Sequence, residues 1–271
     1  MDTLNNDKIR RLVSNNYGKV AKDSGQGCGC MTASSCCGKG DTVLERYTGD
    51  LGYTDTDINN VPEGANMGLG CGNPQSIALL RTGETVLDLG SGGGFDCFLA
   101  AKSVGPDGLV IGVDMTPEML HKARDNARTA GVENVEFRLG EVENLPVADN
   151  TADVIMSNCV INLSPEKTKV YAEAFRVLKP GGRLAISDMV AVRELPSDIK
   201  ENPDLLCGCV GGAETVEKIK NALEIVGFES IDIKLAGASR ETIEEWFPKN
   251  NLSSYVASAS IQAEKPSTQV P

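Results

Sequence analysis

The sequence predicts an α/β fold in which a mostly parallel sheet carries helices on both faces. From residue 84 onward, short apolar runs alternate with segments of helical periodicity, an order that indicates β-α-β units with parallel strands. A glycine-rich turn follows the first of these runs, as it does where a strand enters a helix in a nucleotide-binding unit. After Asp188 the pattern becomes mixed, which predicts a smaller C-terminal α+β appendage.

The individual helices and strands are predicted from apolar periodicity and from the residues that typically begin or end such elements. Thr116 and Pro117 place a capping hydroxyl before a proline at the start of one helix, and Gly131 follows its end. The predicted helices are 5–20, 95–104, 117–130, 165–178 and 214–226, and the predicted strands are 84–90, 109–114, 135–140, 152–158, 182–188 and 229–235, with a final alternating run at 254–263.

We divide the chain into three regions on this basis. Residues 1–60 contain the N-terminal helix and a cysteine-rich segment, residues 61–190 form the nucleotide-binding domain, and residues 191–271 form the appendage. The segment 23–41 is rich in Gly, Ser and Cys and has little apolar surface to bury, so we expect it to be a mobile loop.

Charge and hydropathy exclude several classes of function. The chain has 271 residues, 26 of them Lys or Arg and 38 Asp or Glu, so its net charge is −12 and a nucleic-acid partner is not expected. No apolar run approaches the ~20 residues that span a bilayer, so we expect no membrane association. The polar start, Met1 to Arg10, lacks the apolar segment of a secretory signal, which predicts a cytoplasmic protein.

The nine cysteines are informative in such a compartment. Thiols stay reduced in the cytoplasm, so structural disulfides explain an odd number of cysteines poorly. Ligation of a soft metal or metalloid and thiol redox chemistry explain them better.

The glycine-rich turn at residues 88–94 has the pattern Asp-x-Gly-x-Gly-x-Gly. Glycine lets the backbone turn sharply and lets a ligand approach without a Cβ in the way. The dinucleotide fingerprint fails because Phe95 stands where it requires Gly or Ala, and no Walker lysine follows. Asp114 ends the next strand, where an acidic side chain can accept hydrogen bonds from ribose hydroxyls.

The string DLGSGGG, followed by VDMTPEM, GEVENLP, SNCVINL and LKPGGRLAISD, resembles the motifs of the class I S-adenosylmethionine-dependent methyltransferases over residues 60–190. The resemblance implies a Rossmann-like sheet and S-adenosylmethionine as the cofactor. It also implies a set of cofactor contacts: Asp88, Gly90 and Gly92 at the methionine end, Asp114 at the ribose, and Met115, Val142 and Glu143 beside the adenine.

Methyl transfer to oxygen, nitrogen or an unactivated carbon usually needs a base. The one histidine, His121, is predicted to lie on a solvated helix face, so we expect the chemistry to use sulfur instead. Cys159 follows the strand 152–158 at the carboxyl edge of the sheet, where open α/β sheets bind ligands. Cys71 lies in a glycine-flanked turn, and Cys209 precedes a second glycine turn.

The strings NMGLGCG, SNCVINL and CVGGA resemble those of the arsenite methyltransferases, in the same chain order. The resemblance implies that Cys71, Cys159 and Cys209 meet As(III) beside the methyl donor, with Cys159 and Cys209 as the main ligands and Cys71 as the third ligand or the resolving thiol. Trivalent arsenic is a soft centre that prefers thiolates, and its lone pair can attack a sulfonium methyl group without a base.

Methylation leaves formally pentavalent arsenic, which must regain two electrons. A pair of thiols supplies two electrons by closing to a disulfide, and Cys71 is expected to pair with Cys159 or Cys209. The N-terminal segment offers four candidates for a relay to thioredoxin or glutathione: Cys28, Cys30, Cys36 and Cys37. These four thiols could alternatively bind zinc, although their spacing lacks the C-x2-C pairs of a zinc ribbon. Cys97 is predicted to be a packing residue, and Cys207 has no assigned role.

Two other functions remain open from the sequence. A small-molecule C-methyltransferase of quinone or sterol type would share the cofactor domain and the GEVENLP-like segment, but it would not need the cysteines. A non-catalytic, thiol-rich metal- or metalloid-binding protein would use the cysteines, but it would have no use for the glycine-rich turn or Asp114.

Overall fold

The computed structural model of the chain describes residues 3–22, 40–235, 243 and 252–267. Within these ranges, no helix is both long enough and apolar enough to cross a membrane. The segment 23–39 lies outside the described residues, so the loop, relay and zinc interpretations stay predictions for the four cysteines that it contains, Cys28, Cys30, Cys36 and Cys37.

The described residues form ten α-helices and seven strands. The helices are α1 (Thr3–Lys22), α2 (Gly40–Asp50), α3 (Asp55–Asn59), α4 (Gln75–Ala78), α5 (Phe95–Val104), α6 (Pro117–Ala130), α7 (Lys167–Val177), α8 (Ser197–Lys200), α9 (Pro203–Cys207) and α10 (Val216–Val226). The strands are β1 (Thr85–Leu89), β2 (Leu109–Asp114), β3 (Val135–Leu139), β4 (Ala152–Asn158), β5 (Leu178–Ala191), β6 (Glu229–Leu235) and β7 (Val256–Glu264).

These seven strands make one sheet with the spatial order β3-β2-β1-β4-β5-β7-β6. The first five pair in parallel, and β7 is antiparallel to both β5 and β6. The predicted α/β fold with a mostly parallel sheet is therefore confirmed.

Local signals place most element ends where the sequence predicts them. Thr116 has an extended backbone before Pro117, but its side chain makes no capping hydrogen bond, so that part of the prediction is wrong. Gly131, at φ +65°, ends α6 with its N–H bonded to the carbonyls of the last turn. The helix predicted at 165–178 starts later, because the Ser164 hydroxyl accepts the N–H of Glu166 and holds it outside the helix.

The core lies on both faces of the sheet, because neighbouring residues of a strand point to opposite sides. Leu87 and Ile111 pack on the face that Tyr171 of α7 covers, whereas Val86 and Val110 pack on the face that α5 and α6 cover. Cys97 is fully buried in this second cluster, as a packing residue would be.

The strands beyond residue 190 extend the main sheet and do not form a sheet of their own. β5 runs to Ala191 and pairs with β7 over nine residues, so the region boundary predicted at 190 falls inside a continuous strand. The helices α8 to α10 belong to this C-terminal α+β part. A third buried cluster lies beside it and contains Cys71, Cys159 and Cys209.

Candidate functional site

The turn between β1 and α5 leaves an opening beside the backbone. Gly90 has φ +69°, and a Cβ there would collide with the side chain of Val160. Gly92 has φ +51°, and a Cβ there would meet nothing within 4 Å. The Gly90 backbone therefore needs glycine both for its conformation and for space, whereas Gly92 faces open volume that a ligand can occupy.

Asp114 holds this turn in place. Its Oδ2 accepts the N–H of Gly92 at 3.0 Å and its Oδ1 accepts the N–H of Thr116 at 2.8 Å. Burial raises the pKa of Asp114, and these backbone hydrogen bonds act against the rise. Asp114 lies in the wall of the same opening, where its two carboxylate oxygens can accept hydrogen bonds from hydroxyl donors of a ligand.

Asp88, at 3% exposure, points into the same region with a weak donor as its partner. The Cys97 thiol donates to Asp88 Oδ2 at 3.1 Å, so Cys97 contacts the site as well as the core. Burial, followed by the nearby charge of Asp96, raises the pKa of Asp88 well above its ordinary value. A buried carboxylate of this kind is stabilised by a cationic ligand or by a stronger donor.

A second network, which the sequence analysis missed, joins the turn to the cysteines. The Tyr53 hydroxyl donates to Asp96 Oδ1 at 2.7 Å, and Asn158 Nδ2 lies 3.3 Å from Asp96 Oδ2. Asn158 also accepts the N–H of Cys71 through its Oδ1 at 3.0 Å. Asn158 stands directly before Cys159 in the string SNCVINL, and that position is the signal that could have identified it.

These groups line one cleft, which contains about 1150 Å³ of empty space, part of it open to solvent. All seven residues expected at the cofactor lie in its wall: Asp88, Gly90, Gly92, Asp114, Met115, Val142 and Glu143. Four carboxylate side chains line the cleft, those of Asp88, Asp96, Asp114 and Glu143, and within the described part of the chain its one Lys or Arg side chain is that of Arg10. A ligand with positive charge and hydroxyl donors, such as S-adenosylmethionine, fits this set of acceptors.

Glu143 is not a free carboxylate at the cleft wall. Its Oε1 accepts from Arg10 at 3.2 Å and from the Ser164 hydroxyl at 2.6 Å. Arg10 also donates to Glu166 at 2.6 Å. Helix α1 therefore closes one side of the cleft, a contact that the amphipathic pattern of residues 5–20 does not specify.

The three cysteines expected to bind arsenic lie together at the carboxyl edge of the sheet. Cys71 and Cys159 form a disulfide, with their Cα atoms 5.8 Å apart and a sequence separation of 88. The Cys209 thiol donates to the carbonyl of Cys159 at 2.6 Å. All three are buried, and Cys159 also lines the cleft.

The backbone at two of these cysteines is unusual. Cys159 has φ +57° and Cys209 has φ +62°, a left-handed conformation that is uncommon and costly for residues other than glycine. Such conformations persist where the surrounding contacts impose them, and they cluster at functional sites.

Asp188 is a further acidic group at the cysteines, which the sequence analysis treated only as the end of a strand. One of its carboxylate oxygens and the sulfur atoms of Cys71 and Cys159 all lie within 4.8 Å of one another. Burial raises the pKa of Asp188 to about 7, although hydrogen bonds from Met189, Asn162 and other donors oppose the rise. His121, by contrast, is exposed on α6, as predicted.

Known proteins resemble this chain over most of its length. Residues 80–227 match the family model of a methyltransferase domain. The chain is 49% identical over 265 residues to the arsenite methyltransferase of Halobacterium salinarum, covering 96% of this chain and 67% of that protein. The chain belongs to the arsenite methyltransferase family.

Two further members of the family show how far the similarity extends. The arsenite methyltransferase of Aquipseudomonas alcaligenes is 41% identical over 213 residues, which cover 76% of this chain and 58% of that protein. The crystal structure of the arsenic (III) S-adenosylmethionine methyltransferase of Chlamydomonas reinhardtii superposes with a TM-score of 0.59 at 32% identity, covering 83% of this chain and 74% of that one. The chain thus spans less than two thirds of the Aquipseudomonas relative.

Proposed function

We propose that this protein transfers a methyl group from S-adenosylmethionine to arsenite. Cys159 and Cys209 are the main As(III) ligands, and Cys71 is the third ligand or the resolving thiol. The proposal rests on one observation: these three cysteines lie together beside a cleft that carboxylates and a glycine turn line. A C-methyltransferase of quinone or sterol type would not require a cluster of three cysteines at this position.

The cleft residues hold the cofactor in this proposal. Asp88, Gly90 and Gly92 contact its methionine end, Asp114 accepts from the ribose hydroxyls, and Met115, Val142 and Glu143 border the adenine. When bound, S-adenosylmethionine supplies an electrophilic methyl group, and the electrons of the broken carbon–sulfur bond remain with its sulfur. The chain contributes chiefly position, which is worth ~7 to 11 kcal/mol where two reactants are held in a reactive geometry.

The thiols bind arsenite by exchange. Each cysteine gives its proton to a departing hydroxide of arsenite, so one water leaves for every arsenic–sulfur bond that forms. Soft thiolate sulfur suits soft arsenic better than water oxygen does. Cys71 and Cys159 are bonded to each other in the structure, so a reductant must open this disulfide before both can bind arsenic.

Cys71 and Cys159 also supply electrons after methyl transfer. Arsenic has then donated its lone pair to carbon and is formally pentavalent. Two thiolates reduce it to the trivalent state and become a disulfide, which accounts for both electrons. The bond between Cys71 and Cys159 supports this pairing over the alternative with Cys209. Thioredoxin or glutathione then reopens the disulfide, with Cys28, Cys30, Cys36 and Cys37 as the candidates for a relay.

Identification of the arsenic products tests the proposal. The protein is incubated with arsenite, S-adenosylmethionine and a thiol reductant, and the arsenic species are separated and quantified. We expect methylated arsenic in amounts that depend on the cofactor. Arsenite binding without a methylated product would instead indicate the metalloid-binding alternative, and failure to bind arsenite would contradict the proposal.

A further inference from the structure

Helix α1 presents one face to the cofactor cleft. Arg10, Val13 and Tyr17 line the cleft, and their spacing of three and four residues places them on the same side of the helix. Val13 is fully buried, so this part of the helix is packed and not loosely attached. A ligand in the cleft would contact this face.

The Arg10 part of this face is fixed to the cofactor side of the cleft. Arg10 donates to Glu143, itself a residue of the cleft wall, and to Glu166 before α7. These three side chains are largely buried, at 18%, 7% and 24% exposure. Ion pairs that are shielded from solvent and share one guanidinium hold a helix in a defined position better than exposed pairs do.

The Tyr17 part of the same face is fixed to the other half of the site. The Tyr17 hydroxyl donates to the backbone carbonyl of Cys207 at 2.9 Å. Cys207 is the last residue of α9, and Gly208 and Cys209 follow it directly. One helix thus contacts both the cofactor cleft and the turn that carries Cys209.

The Cys209 turn depends on contacts from outside itself. Cys209 has φ +62°, which is unfavourable for a residue with a side chain. Its carbonyl accepts from Asn162 Nδ2 at 3.0 Å, and its N–H bonds to the carbonyl of Leu206. The Tyr17 hydroxyl adds a bond two residues earlier, from an element that belongs to the cofactor site.

We propose that Tyr17 is a positioning residue that couples occupancy of the cofactor cleft to the conformation of the Cys209 turn. A cofactor packed against α1 adds contacts to this face of the helix, and the Tyr17 hydroxyl transmits that stabilisation to the Cys207 carbonyl and so to Cys209. The coupling itself follows from these contacts, whereas its use in arsenic binding rests on the proposed function. The arsenic-binding conformation of Cys209 is then favoured when the methyl donor is present.

Hydrogen exchange of residues 203–213 tests the coupling without arsenite. Wild type, Tyr17→Phe and a control, Arg11→Ala, are compared with and without S-adenosylhomocysteine. Arg11 is 76% exposed and pairs with Asp7 along the helix. We expect the nucleoside to slow exchange of this segment in wild type and in the control, and to lose that effect in Tyr17→Phe. Equal slowing in Tyr17→Phe would overturn the coupling.

Arsenite titration separates this inference from the proposed function. In wild type, saturating S-adenosylhomocysteine should tighten arsenite binding by about two- to tenfold, the effect of one neutral hydrogen bond. Tyr17→Phe should bind arsenite equally with and without the nucleoside. By thermodynamic linkage, arsenite should tighten nucleoside binding in wild type by the same factor.

The arsenite titration distinguishes a failure of the proposed function from a failure of the coupling. If wild type binds no arsenite in either state, the proposed function fails and hydrogen exchange alone decides the coupling. If wild type binds arsenite with the same affinity in both states, the coupling is overturned while the proposed function stands. If the Tyr17 hydrogen bond only stabilised the fold, Tyr17→Phe would be less stable, but S-adenosylhomocysteine would still slow exchange of residues 203–213 as it does in wild type.

Discussion

Asp114 offers the sharpest test of the cofactor site, because it has two tasks at one position. It accepts the N–H groups of Gly92 and Thr116, and in the proposed site it also accepts from the ribose. Hydrogen bonds to a charged group contribute ~1.5 to 3 kcal/mol each. Asp114→Ala removes the ribose acceptor, so its S-adenosylmethionine affinity should fall by about ten- to a hundredfold.

Isothermal calorimetry with S-adenosylmethionine measures this change directly. Asp125→Ala is the matched control, since Asp125 is an exposed carboxylate on α6 that pairs with Arg128. Asp114→Asn should be intermediate, because its amide keeps one acceptor oxygen and turns the other position into a donor. Circular dichroism establishes that each variant is folded. Wild-type affinity in folded Asp114→Ala would refute the role given to this carboxylate.

Three further predictions concern the cysteines, the N-terminal segment and pH. Cys209→Ser replaces a soft thiolate with a hard hydroxyl, so arsenite methylation should collapse while S-adenosylmethionine affinity stays within about twofold; normal turnover would remove Cys209 from the ligands. Deletion of residues 24–39 should change the thermal midpoint by only a few degrees, since ~1 kcal/mol shifts it by ~2 to 4 °C in a domain of this size, and a large fall with bound zinc would favour a structural metal site. Burial raises the pKa of Asp188 to about 7, so the folded state binds this proton more tightly than the unfolded state does. The free energy of unfolding should therefore fall by on the order of 4 kcal/mol as the pH rises from 4 to 7. Denaturant titrations at several pH values should show this decrease in wild type and a smaller decrease in Asp188→Asn. Equal decreases in the two proteins would contradict the raised pKa of Asp188.

The sheet and the cofactor turn were predictable because their signals are local. Apolar runs bounded by glycine and proline specify β1, β2 and α6 over a few residues each, and the structure places these elements at the predicted positions within one residue. At Gly90 the glycine turn combines a positive φ with a lack of space for a Cβ, and a glycine in the sequence indicates both requirements.

The rest of the site depends on contacts between distant segments. Tyr53 reaches Asp96 across 43 residues, and Arg10 reaches Glu143 across 133. No periodicity or spacing in the sequence indicates either pair, because only tertiary packing brings the two partners together. The antiparallel pairing of β5 with β7 was missed for the same reason, since strand pairing is not encoded in either strand separately.

A single-turnover reaction without external reductant tests the central claim most directly. Fully reduced protein is mixed with equimolar arsenite and excess S-adenosylmethionine, then quenched by alkylation, and the arsenic products and cysteine peptides are quantified. We expect about one methylated arsenic per protein and an equal amount of the Cys71–Cys159 disulfide. Methylated product with all nine cysteines still alkylated would contradict the proposed electron transfer from this pair.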